Sequence, residues 1–214
     1  IYDTTLRDGS QMEGINFSVQ DKIQIALKLD ELGIHYIEGG WPGSNPKDIA
    51  FFEKAQKISF RNAKICSFGS TRKAETKPDQ DKNLRLLLEA GSPVITIFGK
   101  SWTLHVKRAL RTTLDENLKM IDDSINFLKS AGKTVFFDAE HFFDGYKQDR
   151  DYALKTIEVA YNAGADAIIL CDTNGGALPY EIETIFSQVM SQLPKSFEIG
   201  MHAHNDGGVA VANS

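Results

Sequence analysis

Two histidines one residue apart, His202 and His204 in IGMHAHND, and an arginine–aspartate pair in LRDG, Arg7 and Asp8, are the residues whose types and spacing could do metal chemistry. Side chains at i and i+2 of a strand share a face, so His-x-His aims two imidazoles at one point. Imidazole is the commonest protein ligand for a transition-metal ion. The pair by itself is more often structural, so its meaning depends on what the fold brings beside it. If both segments end parallel strands of one barrel, Asp8 becomes a third, anionic ligand from the far end of the chain. The result would be an open metal site facing a cleft.

The elements that must position these groups are legible in the pattern. Short apolar, β-branched runs begin near residues 1, 35, 64, 93, 134, 167 and 197, and stretches of helical period fall near 18–33, 46–58, 80–91, 114–131, 150–164 and 179–193. Several of these stretches stop at small-residue turns, at Gly33, Gly91, Gly132 and Gly164, where glycine supplies a left-handed cap. Strand then helix, at about thirty residues per unit, predicts parallel βα architecture. Near-continuous apolar strands such as VITIF (94–98) and AIILC (167–171) suit a sheet covered by helices.

A barrel and an open doubly wound sheet share this pattern, and the polar residues choose between them. Arg7, Asp8, Glu38, Glu140, Thr173, His202 and His204 all fall at C-terminal ends of predicted strands. Those ends converge on one face of a (β/α)8 TIM barrel. No Gly-x-Gly-x-x-Gly follows the first strand, which lowers the dinucleotide-binding alternative. Without a linker or low-complexity tract, residues 1–214 read as one catalytic barrel domain. The last residues, GGVAVANS (207–214), fall where a seventh helix should start, so the expectation is a barrel truncated after strand seven, lacking the eighth βα unit and any C-terminal regulatory domain.

Composition bounds the partners. The 214 residues are 42% hydrophobic and 25% charged, ordinary for a globular chain with a sizeable core. A net charge of −5 offers no basic excess for nucleic acid. Any anionic substrate must therefore be met by local positive charge or a metal. Cys66 and Cys171 lie in apolar runs and read as buried free thiols of a reducing compartment. With no signal region and no apolar run long enough for a bilayer, the expectation is a cytoplasmic protein without membrane contact.

Five segments in order, YDTTLRDGSQMEG (2–14), YIEGGWPGSNPKD (36–48), FDAEHFFDG (137–145), LCDTNGG (170–176) and HAHNDGGVAVANS (202–214), resemble the metal-dependent acyl-CoA Claisen-condensing enzymes. These are the isopropylmalate, homocitrate and citramalate synthases of the TIM-barrel metallolyase superfamily, and EGGWPGSNPKD looks most like the citramalate branch. The resemblance implies a divalent metal (manganese, magnesium, zinc or cobalt) held by Asp8, His202 and His204. It sets Arg7 beside that metal with Glu38 positioning Arg7, Glu140 opposite, and Thr173 on an α-keto acid. It also implies acetyl-CoA as co-substrate, a homodimer, and a role in isoleucine or leucine biosynthesis.

That chemistry wants these residue types. Two imidazoles and a carboxylate leave metal positions open for a chelating keto acid. Arg7 suits a carboxylate or a developing oxyanion, and the weakly acidic acetyl methyl needs a close base, for which Glu140 is the candidate. Gln11 in the RDGSQ turn and His105 in FGKSWTLHVKRALR (98–111) are further candidates to touch substrate. Each residue also has a structural reading. Arg7 and Asp8 make sense as a strand-end ion pair, Glu38 as the buried partner of Arg7, Glu140 as a loop acid, Thr173 as a loop cap, Gln11 as a turn former, and the basic stretch as a solvated helix face. The alternatives left open are a different keto acid, an aldol-type acyl-CoA lyase of the same superfamily, and a metal-binding chain without turnover.

Overall fold

The computed structural model describes residues 1–214 and contains seven parallel strands paired in sequence order. They are β1 (Tyr2–Asp3), β2 (Tyr36–Gly40), β3 (Lys64–Ser70), β4 (Val94–Lys100), β5 (Thr134–Glu140), β6 (Ala167–Asp172) and β7 (Glu198–Ala203). Between them run α1 (Val19–Glu31), α2 (Pro46–Ala55), α3 (Lys82–Glu89), α4 (Thr103–His105), α5 (Leu114–Ser130), α6 (Phe142–Gln148), α7 (Arg150–Asn162) and α8 (Pro179–Met190), and α9 (Ala210–Asn213) follows β7. The order never reverses, as a barrel requires and a doubly wound sheet does not. The sheet curls far enough that the loop after β1 meets the end of β7, with an Asp8 oxygen 3.5 Å from His202.

Strand alternation sorts each strand between two compartments. Ile95, Ile97, Val135, Phe137 and Ala139 face the helices and join one core with Ile121, Ile125, Leu128 and Ile157. A second core packs Ile37, Phe51, Phe52 and Ile65 under α1 and α2. The inward positions Cys66, Val94 and Phe136 form a third, smaller cluster with Tyr2, Tyr36 and Ile169 that fills the base of the curled sheet. The polar residues at and beyond the strand ends stand above this floor.

Local signals explain the helix ends. Ser18 and Asp21 form a capping box on α1, Asn45 caps α2 ahead of Pro46, and Thr113 and Asp149 cap α5 and α7. The four expected turn glycines have φ between +69° and +90°, the left-handed conformation that closes each helix. Cys66 and Cys171 are buried free thiols. No helix is long and apolar enough to cross a membrane.

The sequence pattern did not mark four short pieces: α4 and the π-helical turn Val106–Leu110 that continues it, α6, and 3-10 turns at Gly9–Gln11 and Pro78–Gln80. Each follows the C-terminal end of a strand. Arg7 and Asp8 also lie beyond the strand end, since β1 stops at Asp3 and residues 4–8 form a turn closed by the Arg7 and Gly9 amides on the Thr4 carbonyl.

Candidate active site

Asp8 is presented by that turn, with the Ser10 hydroxyl donating to the Arg7 carbonyl to hold it closed. His202 belongs to β7 and pairs in register with Cys171, while His204 follows the strand and donates its amide to the Asp172 carbonyl at 3.2 Å. The β6 loop DTNGG braces this segment. Gly175, at φ +60°, sits so close that a Cβ would lie 2.8 Å from the Asp206 nitrogen, so only glycine fits. The two imidazoles stack with centroids 5.0 Å apart, and Asp8 Oδ2 lies 3.5 Å from His202 Nε2 and 3.7 Å from His204 Nε2.

Arg7 stands beside this trio. Its Nε donates to Glu38 at 2.5 Å, its Nη1 to Asp8 at 3.1 Å, and its guanidinium lies 3.8 Å over the Phe68 ring. Glu38 is fully buried and accepts a second hydrogen bond from the Tyr2 hydroxyl. A bulge between Glu38 and Gly40 sets this acid, and Gly39 packs so tightly that a Cβ would fall 2.3 Å from Phe51. Phe68 stacks on Phe98, with the Trp41 ring edge-on to both, making an aromatic wall next to the guanidinium.

Across the mouth, Glu140 ends β5 and its carboxylate contacts the Lys100 ammonium. The Thr173 hydroxyl, just past β6, accepts from the His141 amide at 2.9 Å, so it caps the neighbouring loop and keeps its own proton available. His105 is packed edge-on against His141 and tilted over Trp102, while Lys107, Arg108 and Arg111 are exposed, as a solvated face would be. Gln11 lies on an exposed turn, where its amide bonds to the Asp8 carbonyl. The fold thus brings Arg7, Asp8, Glu38, His202 and His204 into one cluster, with Glu140 and Thr173 at its rim.

Sequence reasoning missed Asp138. It lies two residues before Glu140 on the same inward face of β5, buried, with a carboxylate oxygen, the Cys171 thiol and a His202 nitrogen all within 4.8 Å of one another. The available signal was an acid inside the apolar strand TVFFDAE, with a second acid two residues on.

The electrostatics follow from burial and proximity. Asp8 is lowered to about 2, first by the hydrogen bond from His202 and then by Arg7. His202 is raised, first by Asp8 and further by Asp138. Burial raises Glu38 against the pull of Arg7, and burial with repulsion from Glu38 raises Asp138 to about 7. One carboxylate and two imidazoles with ligand atoms within 4.8 Å of one another, open to the mouth, fit a divalent cation. An imidazole must be neutral to ligate, so an ion must displace the proton that Asp8 favours on His202. Affinity for Mn2+ or Zn2+ is therefore expected to fall about tenfold per pH unit below the His202 pKa. Calorimetry in buffers of different ionisation enthalpy reads the released proton, and pH-independent affinity without proton release would exclude His202 as a ligand.

Comparison with known proteins gives the chain's relatives. The chain is 58% identical over its whole length to an (R)-citramalate synthase from Aquifex aeolicus and 57% identical to one from Geobacter sulfurreducens, and spans 40% of the length of each. The fold matches the HMG-CoA lyase from Bacillus subtilis with a TM-score of 0.80 at 22% identity, covering 99% of this chain and 70% of that one. The HMGL-like family pattern matches residues 1–214, and the chain belongs to that family.

Proposed function

We propose that this chain carries the barrel active site of a synthase that condenses acetyl-CoA with pyruvate, giving citramalate and coenzyme A. The observation that carries this reading is the Asp8–His202–His204 cluster with Arg7 locked beside it by Glu38. Asp8, His202 and His204 would hold the divalent ion, which when bound supplies Lewis-acid polarisation of the keto acid's ketone. Arg7 spends Nε on Glu38 and Nη1 on Asp8, which leaves Nη2 to donate to the ketone oxygen as charge develops there. Thr173 donates its free hydroxyl proton to the substrate carboxylate. Glu140 takes a proton from the acetyl methyl. The wall of Phe68, Phe98 and Trp41 fills the space beside Arg7 and favours a keto acid with a small side chain. The match to citramalate synthases over the whole chain supports the same substrate.

The test is thiol release from acetyl-CoA with Mn2+ or Mg2+ across a panel of α-keto acids. It is run on the 214-residue chain and on a chain extended to the length of the relatives. Release with pyruvate is expected, and Glu140→Gln should lower kcat by about a hundredfold to ten-thousandfold, the range for removing a general base. Silence of both chains with every keto acid would overturn the reading. Cleavage of a hydroxyacyl-CoA without keto acid would replace it with a lyase.

A further inference from the structure

Lys100 and Glu140 form a unit that the proposed chemistry has so far used only by half. They are the last residues of adjacent strands and partners in the β4–β5 register. The Ser101 amide donates to the Glu140 carbonyl at 3.2 Å, and the buried Asn117 side chain donates to the Lys100 carbonyl at 2.8 Å, so the backbone of both is fixed. Lys100 shares the inward face of β4 with Phe98, its ammonium 5.3 Å from that ring and in contact with the Glu140 carboxylate. The two side chains are only 15% and 24% exposed. An ion pair held at this depth by fixed backbone differs from the mobile surface pairs that do little.

The condensation needs such a cation. When a base removes a methyl proton from the acetyl group, the electron pair moves into the thioester carbonyl, and its oxygen becomes an enolate oxygen. Arg7 serves the keto acid, and Glu38, Asp138 and Glu140 would repel a second anion. Lys100 is the cation in contact with the base. It also lines a cleft of about 380 Å³ between the ends of β3 and β4, walled by Thr71, Lys73, Phe98, Leu110 and Met120. The lining of that cleft mixes apolar side chains with the basic Lys73 and Lys100.

We propose that Lys100 is a catalytic residue that donates a hydrogen bond to the thioester carbonyl oxygen of acetyl-CoA while Glu140 removes the methyl proton. An ammonium has three N–H donors, so it can keep Glu140 in place and still reach the oxygen. The C–H bond breaks, its proton goes to the Glu140 carboxylate, and the carbonyl π pair rests on the oxygen facing Lys100. The enolate carbon then bonds to the ketone carbon of pyruvate, whose π pair moves to the ketone oxygen beside Arg7. That oxygen takes up one proton, balancing the one Glu140 received, so Glu140 returns to the carboxylate. Water adds to the thioester carbonyl, the C–S bond breaks, and the sulfur leaves with a proton as free thiol. No oxidant or reductant is needed. The assignment rests on the synthase reading above.

The experiment compares wild type, Lys100→Met and Lys100→Arg in the extended chain, using acetyl-CoA and its trideuteroacetyl form with saturating pyruvate and Mn2+. Lys100→Met is expected to lose about a hundredfold or more in kcat, the cost of one oxyanion donor. Its KM for pyruvate should stay within about threefold, which also reports an intact fold. Its deuterium isotope effect on kcat should be at least as large as the wild type's, because methyl deprotonation is the step that loses its support. Lys100→Arg should recover part of the rate. A Lys100→Met enzyme within about fivefold of wild type, or one whose isotope effect collapses to unity, overturns the proposal. A wild type that releases no thiol overturns the synthase reading and this proposal with it, whereas an active wild type beside an unimpaired Lys100→Met removes this proposal alone.

Discussion

Asp8→Asn is expected to weaken divalent-metal binding by about a hundredfold to a thousandfold and to bring thiol release below detection, with the chain still folded. Asp8 is the anion that faces both imidazoles, at 3.5 Å and 3.7 Å, and its position near pKa 2 keeps it charged at every working pH. An amide of the same shape keeps the turn, whose closing bonds are made by the backbone of Thr4, Arg7 and Gly9 and the Ser10 hydroxyl. It removes the charge that offsets the cation, and it offers one neutral oxygen where the carboxylate offered two. Arg7 keeps its stronger partner, the buried Glu38, so the guanidinium stays where it is. Asp8 is half-buried, and the variant loses the charge that holds both His202 and Arg7, at a cost of no more than about 2.5 kcal/mol in the metal-free protein. Calorimetric titration with Mn2+ and a thermal melt of the metal-free protein separate the two effects. Unchanged Mn2+ affinity would remove Asp8 from the ligand set, and a variant that no longer melts cooperatively would assign it a structural task.

How much of this was legible in the sequence depends on the range over which each feature is determined. The βα alternation shows because parallel strands buried on both faces are written as apolar runs, and because Gly33, Gly91, Gly132 and Gly164 each meet a local backbone requirement. The convergence of Asp8 with His202 and His204 followed once a barrel was chosen, since closure alone brings the two ends of the chain together. The short pieces on the same face were not legible. FFDGYKQ and VKRAL carry no amphipathic period, and tertiary packing makes them α6 and a π-helical turn. Placing Arg7 at a strand end failed because β1 is only two residues long. The Lys100–Glu140 pair was invisible for another reason. Each strand announces itself, but the register between two strands is a property of the pair, and it is register that sets Lys100 beside Glu140 rather than in solvent. Asp138 was legible as an acid inside an apolar strand, two residues before Glu140.

That overlooked acid carries the second large effect. Metal-free wild type is expected to lose stability between about pH 4 and pH 7, and Asp138→Asn to lose far less, so that the variant melts higher at pH 8. Burial first, and repulsion from Glu38 second, raise the Asp138 carboxyl from 3.8 to about 7. Across that window the folded state keeps a proton that the unfolded state has released. The stabilisation is whole below 3.8 and is lost as pH rises through 7. His202 acts in the same direction. Its folded pKa lies above 6.5, so its contribution is present below that value and disappears as pH rises past the folded one. Asp8 works the opposite way, with stability present above 3.8 and lost only as pH falls through about 2, outside the window. A shift of three units sets an upper bound of about 4 kcal/mol on the difference at pH 8. Asparagine keeps the shape and a hydrogen-bonding group but carries no charge to bury. Thermal unfolding in chelator from pH 5 to pH 8 measures this, and parallel profiles for the two proteins would show that Asp138 does not hold the proton. Adding Mn2+ to wild type at pH 8 should narrow the gap, because a cation on His202 stands next to the charged form of Asp138. The same carboxylate that weakens the empty fold is then compensated only when the site is filled, so stability at alkaline pH becomes a readout of occupancy.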